Sequence, residues 1–186
     1  RQMCIRDRKE GQRNRAILET LYSCGLRVSE LCNLKLSDLY FEEGFIKVEG
    51  KGSKQRLVPI SPRAIKEIKY WLTDRNLGKI KKGYEDYVFL ARWGNNISRI
   101  MVFHMIKELA EKTGITKNIS PHTFRHSFAT HLLEGGANLR AIQCMLGHES
   151  IATTEIYTHI DRNMLRSEII EHHPRNIKYR KERGIY

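Results

Sequence analysis

Four side chains in one stretch have the types and spacing for phosphate chemistry. His122 and Arg125 stand three apart, His148 follows Leu146-Gly147, and Tyr157 comes nine residues after His148. A guanidinium matches phosphate oxygens with two parallel donors. Imidazoles can donate to the same oxygens or move a proton. A tyrosine hydroxyl can serve as a covalent nucleophile. Together they suit gripping a phosphodiester and attacking it.

The elements that must position them can be read from the same stretch. Ser120-Pro121 is a helix start, because serine caps and proline fits the first turn. Gly135-Gly136 is a stop. Between them Phe124, Phe128 and Leu132 form a buried stripe, so His122, Arg125, His126 and Ala129 fall on the side left open. Asn138 caps a second helix with Leu139, Ile142, Met145 and Leu146 as its apolar face, and Gly147 ends it just before His148. Ser150 starts a third, short helix that delivers Tyr157. That segment holds Ile151, Thr153, Thr154 and Ile156, all modest helix formers. Marginal order there would let the nucleophile be withheld.

The sequence His-x-x-Arg, Leu-Gly-His, then Tyr resembles the tyrosine recombinase (phage integrase) family. Two further residues carry the resemblance upstream. Arg27 lies in YSCGLRVSELCNLKLSDL, with Glu30 placed to hold its guanidinium, and Lys51 sits 24 residues later in the hairpin turn GKGSK. The resemblance covers nearly everything from Arg13 onward. It implies six catalytic residues: Arg27, Lys51, His122, Arg125, His148 and the nucleophile Tyr157. It implies strand breakage and rejoining of double-stranded DNA through a 3′-phosphotyrosyl link, with Lys51 protonating the leaving 5′ oxygen. No metal, ATP or other cofactor is implied. The fold implied is α+β and mostly helical, with a small antiparallel β-sheet carrying the lysine. Phe124 stands where the family more often has Leu, and is apolar either way.

A net charge of +12, from 33 Lys+Arg against 21 Asp+Glu, points to a polyanionic partner, nucleic acid before anionic membrane. No run approaches the ~18 apolar residues of a membrane span, and the basic N-terminus lacks an apolar signal core, so a cytoplasmic location is expected. Cys4, Cys24, Cys32 and Cys144 make no Cys-x-x-Cys pair, which favours reduced thiols. Met3–Arg8 reads like adapter-derived sequence. Residues 1–12 are therefore set aside as an artefact or linker remnant. Residues 13–172 are expected to be the catalytic domain, without the family's N-terminal clamp, and 173–186 a basic tail.

Helices are expected over 15–24, from Val28, from Ser61-Pro62 to about Leu77, and from Ser98 to about Lys112. The face of the last is expected to be Ile100, Phe103, Ile106, Leu109 and Ala110. Phe41–Ile60 reads as strand, turn, strand, and Tyr87–Leu90 as a short extended piece. Gly50–Lys54 fails as a P-loop, because Gly52 stands where Ser or Thr must follow the lysine. His104 reads as structural or solvated, and His131 as a core histidine. His122 with His126, and the His172-His173 pair, lack the carboxylates or further ligands of a metal site.

After Tyr157, Asp161 caps a helix with Met164, Leu165, Ile169 and Ile170 as its stripe. With His172-His173-Pro174-Arg175 behind it, this end resembles Xer-type recombinases. That implies other protomers as partners, in a tetramer on two DNA sites with the C-terminal segment docking in trans, and no membrane. The cellular roles implied are chromosome partition, by dimer resolution, or mobile-element integration. Competing readings are a tyrosine-type topoisomerase, a catalytically silent DNA-binding relative, and a metal-dependent nuclease.

Overall fold

The computed structural model describes residues 5–147 and 162–182. Helix α1 is Ile5–Cys24 and α2 is Val28–Cys32; three short strands follow, β1 Leu39–Tyr40, β2 Phe45–Glu49 and β3 Gln55–Pro59. Then come α3 Pro62–Asn76, α4 Arg99–Lys112, α5 Pro121–Glu134, α6 Leu139–Leu146, α7 Arg162–His172 and α8 Pro174–Glu182. The expected class, α+β and mostly helical with one small antiparallel sheet, is what forms.

The strands pair in the order β1-β2-β3, all antiparallel, with Phe45 opposite Pro59 and Glu49 opposite Gln55. Ile46, Val48 and Val58 turn into the core. A single 3-10 turn, Lys51–Ser53, joins β2 to β3. Of the two glycines beside Lys51, only Gly52 takes a left-handed conformation (φ 72°). Gly50 stays extended, and its N–H closes the hairpin on the Lys54 carbonyl at 2.8 Å.

The main core gathers Ile17 and Leu21 of α1, Leu31 of α2, Ile46 and Val58 of the sheet, Ile68 of α3 and Phe89. A second cluster holds Phe128 and Leu132 of α5, Ile142 and Met145 of α6, and Leu165 and Ile169 of α7. Gly25 lies where the two meet. It takes φ +60°, and a Cβ there would stand 2.4 Å from Cδ1 of Phe128. Only glycine lets α1 turn into α2 so close to that ring.

Several expectations need correction. Helix α1 begins at Ile5, well before Arg15, and partners found across the core explain the extension. Gln12 donates to the Glu67 carboxylate at 3.0 Å, and the buried Arg13 donates to the Leu90 carbonyl at 3.3 Å. On α4 the buried residues are Val102, Met105 and Ile106, with Leu109 packed beside them, while Ile100 is 69 % exposed and Phe103 sits at the surface. Two stripes overlap in that sequence, and the i, i+3, i+4, i+7 set beginning at Val102 is the one that meets the core. On α6, Leu139 is exposed and Ala141 takes its inward place.

Tyr87–Leu90 forms no strand. It is pinned by isolated bridges (Lys35 with Tyr87, Leu90 with Asn96) and by Trp71 Nε1 donating to the Val88 carbonyl at 2.8 Å. The basic tail is helical through Glu182. His173 is fully buried at its start, and Arg175 pairs with Glu19 at 3.4 Å.

Candidate active site

Helix α5 starts as its sequence dictates. Pro121 occupies the first turn, and the Ser120 N–H donates to Oγ1 of Thr123 at 3.1 Å. Phe128 and Leu132 are buried and Phe124 packs against the main core, so the opposite side of the helix is set outward. His122 and His126 are exposed there, and Arg125 is half-buried. Its Nη1 donates to the Gly25 carbonyl and its Nη2 to the Leu146 carbonyl, both at 2.6 Å.

Helix α6 is short and sharply bounded. Asn138 Oδ1 accepts the N–H of Arg140 at 2.9 Å and that of Ala141 at 3.3 Å. At the other end Gly147 takes φ 64°, ψ 53°, the left-handed stop that glycine favours. A helix end leaves carbonyls without intrahelical donors. Here guanidiniums supply them. Arg125 reaches Leu146, and Arg27 Nη2 reaches the Gly147 carbonyl at 3.3 Å.

Arg27 precedes α2 in an extended conformation (φ −69°, ψ 147°). Glu30, as the sequence suggests, holds it. Glu30 Oε2 accepts the Arg27 backbone N–H at 2.8 Å, and Oε1 accepts Nη1 at 3.0 Å. Glu30 itself is almost fully buried. Its burial works to raise its pKa, yet hydrogen bonds from Arg56 and Arg27 and the Arg56 charge outweigh that. The net shift is downward, and the group stays a carboxylate.

The electrostatics follow from the count. Three guanidiniums (Arg27, Arg56 and Arg125) face one carboxylate, an excess of two positive charges. Burial and the neighbouring Arg27 and Arg56 push the Arg125 pKa down to about 10, with Glu30 opposing. Arg125 still carries its proton at neutral pH, but it is a cation whose surroundings favour an anion. Each hydrogen bond uses one of five guanidinium donors, so Arg27 and Arg125 retain donors for an approaching phosphate. A cleft of about 640 Å³ opens beside Arg27, lined also by Asn33, Lys35, Lys47 and Gln55.

The structure therefore brings Arg27 and Arg125 together on consecutive carbonyls, with His122 one turn before Arg125. Lys51 is placed by its backbone on the hairpin turn after β2. His148, Tyr157 and the helix expected from Ser150 lie outside the described residues, as does the Lys51 side chain. Sequence reasoning missed Arg56. The available signal is its register: Arg56 shares the inward face of β3 with Val58, and a charge at an inward strand position needs a buried partner. His131, expected in the core, is only half-buried, with Nδ1 2.9 Å from the Tyr22 hydroxyl, and His104 is exposed.

The phage integrase family pattern matches residues 2–164. Tyrosine recombinase XerD of Chlorobaculum tepidum is 50 % identical over 163 residues, which is 88 % of this chain and 54 % of that protein. Tyrosine recombinase XerD of Staphylococcus saprophyticus is 47 % identical over 165 residues, 89 % of this chain and 56 % of the relative. The chain thus spans about half the length of the curated relatives it matches. The crystal structure of XerA recombinase superposes with a TM-score of 0.70 at 37 % identity, covering 89 % of this chain and 60 % of XerA. That of XerH site-specific recombinase bound to its difH substrate before cleavage gives 0.68 at 32 %, covering 86 % and 45 %. With two arginines gathered on Leu146 and Gly147 at the end of α6 and a match over most of its length, the chain belongs to the phage integrase family.

Proposed function

We propose that this chain carries the catalytic centre of a site-specific DNA recombinase, with residues 13–172 as the working domain. The reading rests above all on one observation: Arg27 and Arg125 are held side by side, each with donors to spare, on the carbonyls of Gly147 and Leu146, the two residues preceding His148. The Tyr157 oxygen attacks a backbone phosphorus and the bond to the 5′ oxygen breaks. The phenolic proton passes to a base, for which His122 is the candidate. The leaving 5′ oxygen takes a proton from Lys51. Arg27, Arg125 and His148 stabilise the charge that builds on the non-bridging oxygens. A 5′-hydroxyl of a second strand then attacks the phosphotyrosyl link and restores a phosphodiester. Bond energy is kept throughout, so the step needs no ATP. That XerH has been crystallised on its difH substrate before and after cleavage, and the Tn1549 transposon integrase with circular intermediate DNA, supports DNA as the substrate here. The working unit would be a set of protomers on two DNA sites in the cytoplasm, with the C-terminal segment docking on a neighbour.

A nicked suicide duplex tests this with chelator present. The chain should accumulate a covalent adduct at the 3′ end, and Tyr157→Phe should give none. Lys51→Ala should slow adduct formation by about 10²–10⁴. A 5′ sulfur leaving group, which departs without a proton, should largely restore Lys51→Ala but not Arg27→Ala or Arg125→Ala. An adduct that survives in Tyr157→Phe moves the nucleophile elsewhere. Duplex binding with no adduct marks a silent relative. Relaxation of supercoiled plasmid without strand exchange marks a topoisomerase.

A further inference from the structure

Arg56 is the second residue of β3, five residues after Lys51, and its side chain is 5 % exposed. All three guanidinium nitrogens are committed. Nε donates to the Met145 carbonyl at 2.8 Å. Nη1 and Nη2 donate to the two oxygens of Glu30 at 2.7 and 2.9 Å. Glu30 is thus shared: Arg56 grips it from the sheet side, and Arg27 from the open side. At the end of α6, the successive carbonyls of Met145, Leu146 and Gly147 each receive one guanidinium, from Arg56, Arg125 and Arg27 in turn. The approach is close. A Cβ on Gly147 would lie 3.2 Å from Cδ, Nε and Cζ of Arg56, so glycine is needed there for space as well as for its left-handed φ.

We propose that Arg56 is a positioning residue for strand transfer: through Glu30 and the end of α6 it fixes Arg27 and keeps the Arg27 charge available to the phosphate. The idea rests on the recombinase reading above. Two physical arguments carry it. Arg27 is 40 % exposed, and a flexible exposed arginine on a single carboxylate is loosely held. Arg56 locks that carboxylate from behind with a two-pronged bond, so Arg27 has a fixed partner before substrate arrives. The second argument is charge. A lone Glu30 would neutralise Arg27, whereas Glu30 already paired with Arg56 leaves Arg27 with a net charge to offer. Arg56 is itself too buried, and too fully bonded to Glu30, to be the phosphate ligand. Lysine cannot replace it, because one ammonium cannot span both carboxylate oxygens and the Met145 carbonyl in this geometry.

The test compares Arg56→Lys with the unsubstituted chain in single-turnover cleavage of the nicked duplex. Cleavage should slow about 10–100-fold, the usual effect of losing a group that orients a catalytic one. Duplex affinity should fall by no more than about tenfold, since only the phosphate contact of Arg27 is weakened and the others remain. The defect should persist on the 5′-sulfur substrate, because charge at the non-bridging oxygens is what is lost. In a cycle with Arg27→Lys, the second substitution should add under about threefold, as expected when both act through one group. A purely structural role would instead give multiplied effects, and multiplication overturns the proposal. So does cleavage by Arg56→Lys at the unsubstituted rate. Should Arg56→Lys fail to fold, Gly147→Ala presses on the same guanidinium from α6. It must then show the same non-additivity with Arg27→Lys, or the proposal falls. An activity-free arm separates this idea from the reading beneath it. Inorganic phosphate titrated against the arginine Nε–Hε signals in nuclear magnetic resonance should bind about tenfold more weakly to Arg56→Lys. Equal affinity overturns the positioning role even if the chain proves to have no nuclease chemistry. An unsubstituted chain that forms no Tyr157-dependent adduct overturns the recombinase reading alone.

Discussion

Protonating His173 should loosen the C-terminal end of the fold. This residue joins α7 to α8 and has no exposed surface. Its Nε2 lies 3.3 Å from the Tyr22 carbonyl, and its Nδ1 accepts the Arg175 N–H at 3.3 Å. The neutral ring with hydrogen on Nε2 satisfies both partners. A proton on Nδ1 would face an N–H and break the second bond. The ring also packs edge-on to Tyr22, centroids 4.7 Å apart, and beside Phe128. Burial pushes its pKa down to about 4. The Tyr22 carbonyl opposes the shift, and the nearby His131 and Arg175 add to it.

The sign follows from proton counting. Below about pH 6.5 the unfolded chain binds a proton at this position, and the native chain does not until about pH 4. Stability is therefore lost as pH falls through that window. The loss is about 2 kcal/mol by pH 5 and on the order of 3 kcal/mol by pH 4. Urea unfolding at pH 7.5 and pH 5.0 reads it directly. His173→Gln keeps an amide donor for the Tyr22 carbonyl but cannot titrate. Its stability should drop between the two pH values by about 2 kcal/mol less than that of the unsubstituted chain. The other ionisable groups are common to both proteins, so the difference isolates this position. Equal pH dependence in the two would refute the account of a neutral, buried His173.

Two further outcomes are expected. Duplex affinity should fall about a thousandfold between low and physiological salt if roughly six phosphates are contacted, and a flat response in a binding titration would count against DNA as the partner. A chain ending at Ile177 keeps the buried Leu165, Ile169, His173 and Asn176 and removes the rest of α8 with the basic end. It should cleave a single site normally yet pair two sites at least about tenfold less well, a difference of ~1.4 kcal/mol. Unchanged pairing in a gel-shift synapsis assay would sink the docking idea. A cut after Ile160 would be a poor test, because it also removes the α7 side of the second core cluster.

What the sequence made legible depended on how local each signal was. Helix ends with their own punctuation came out close to place. Ser61-Pro62 opens α3, with the Ser61 hydroxyl accepting the Ala64 N–H at 3.1 Å, and Asn138 and Gly147 bound α6. Where two apolar stripes overlapped, as on α4, periodicity alone could not choose. The choice belonged to the surfaces that α2 and the main core presented. The start of α1 was illegible for a similar reason. Its first turns lack an apolar stripe, and Gln12 and Arg13 are held by Glu67 and Leu90, residues remote in sequence.

The site shows the same division. Residue types and spacing pointed to Arg125, and the resemblance to the recombinase family pointed to Arg27. Motif reading names side chains that touch a substrate and passes over those that hold them. The hydrogen-bond partners of the Arg56 side chain are remote in sequence. Its partners, Glu30 and Met145, lie 26 and 89 residues away. Only the folded chain makes it the common neighbour of the first arginine motif, the lysine hairpin and the end of α6. That placement also accounts for two features the motif alone leaves bare. Glu30 tolerates burial because Arg56 answers its charge, and Gly147 leaves room for the guanidinium that does so. The Leu-Gly-His segment is thus shaped from behind by a strand residue. The order of the site is a property of three elements packed together, two of which carry residues assigned to the chemistry, while the arginine that joins them takes no direct part in it.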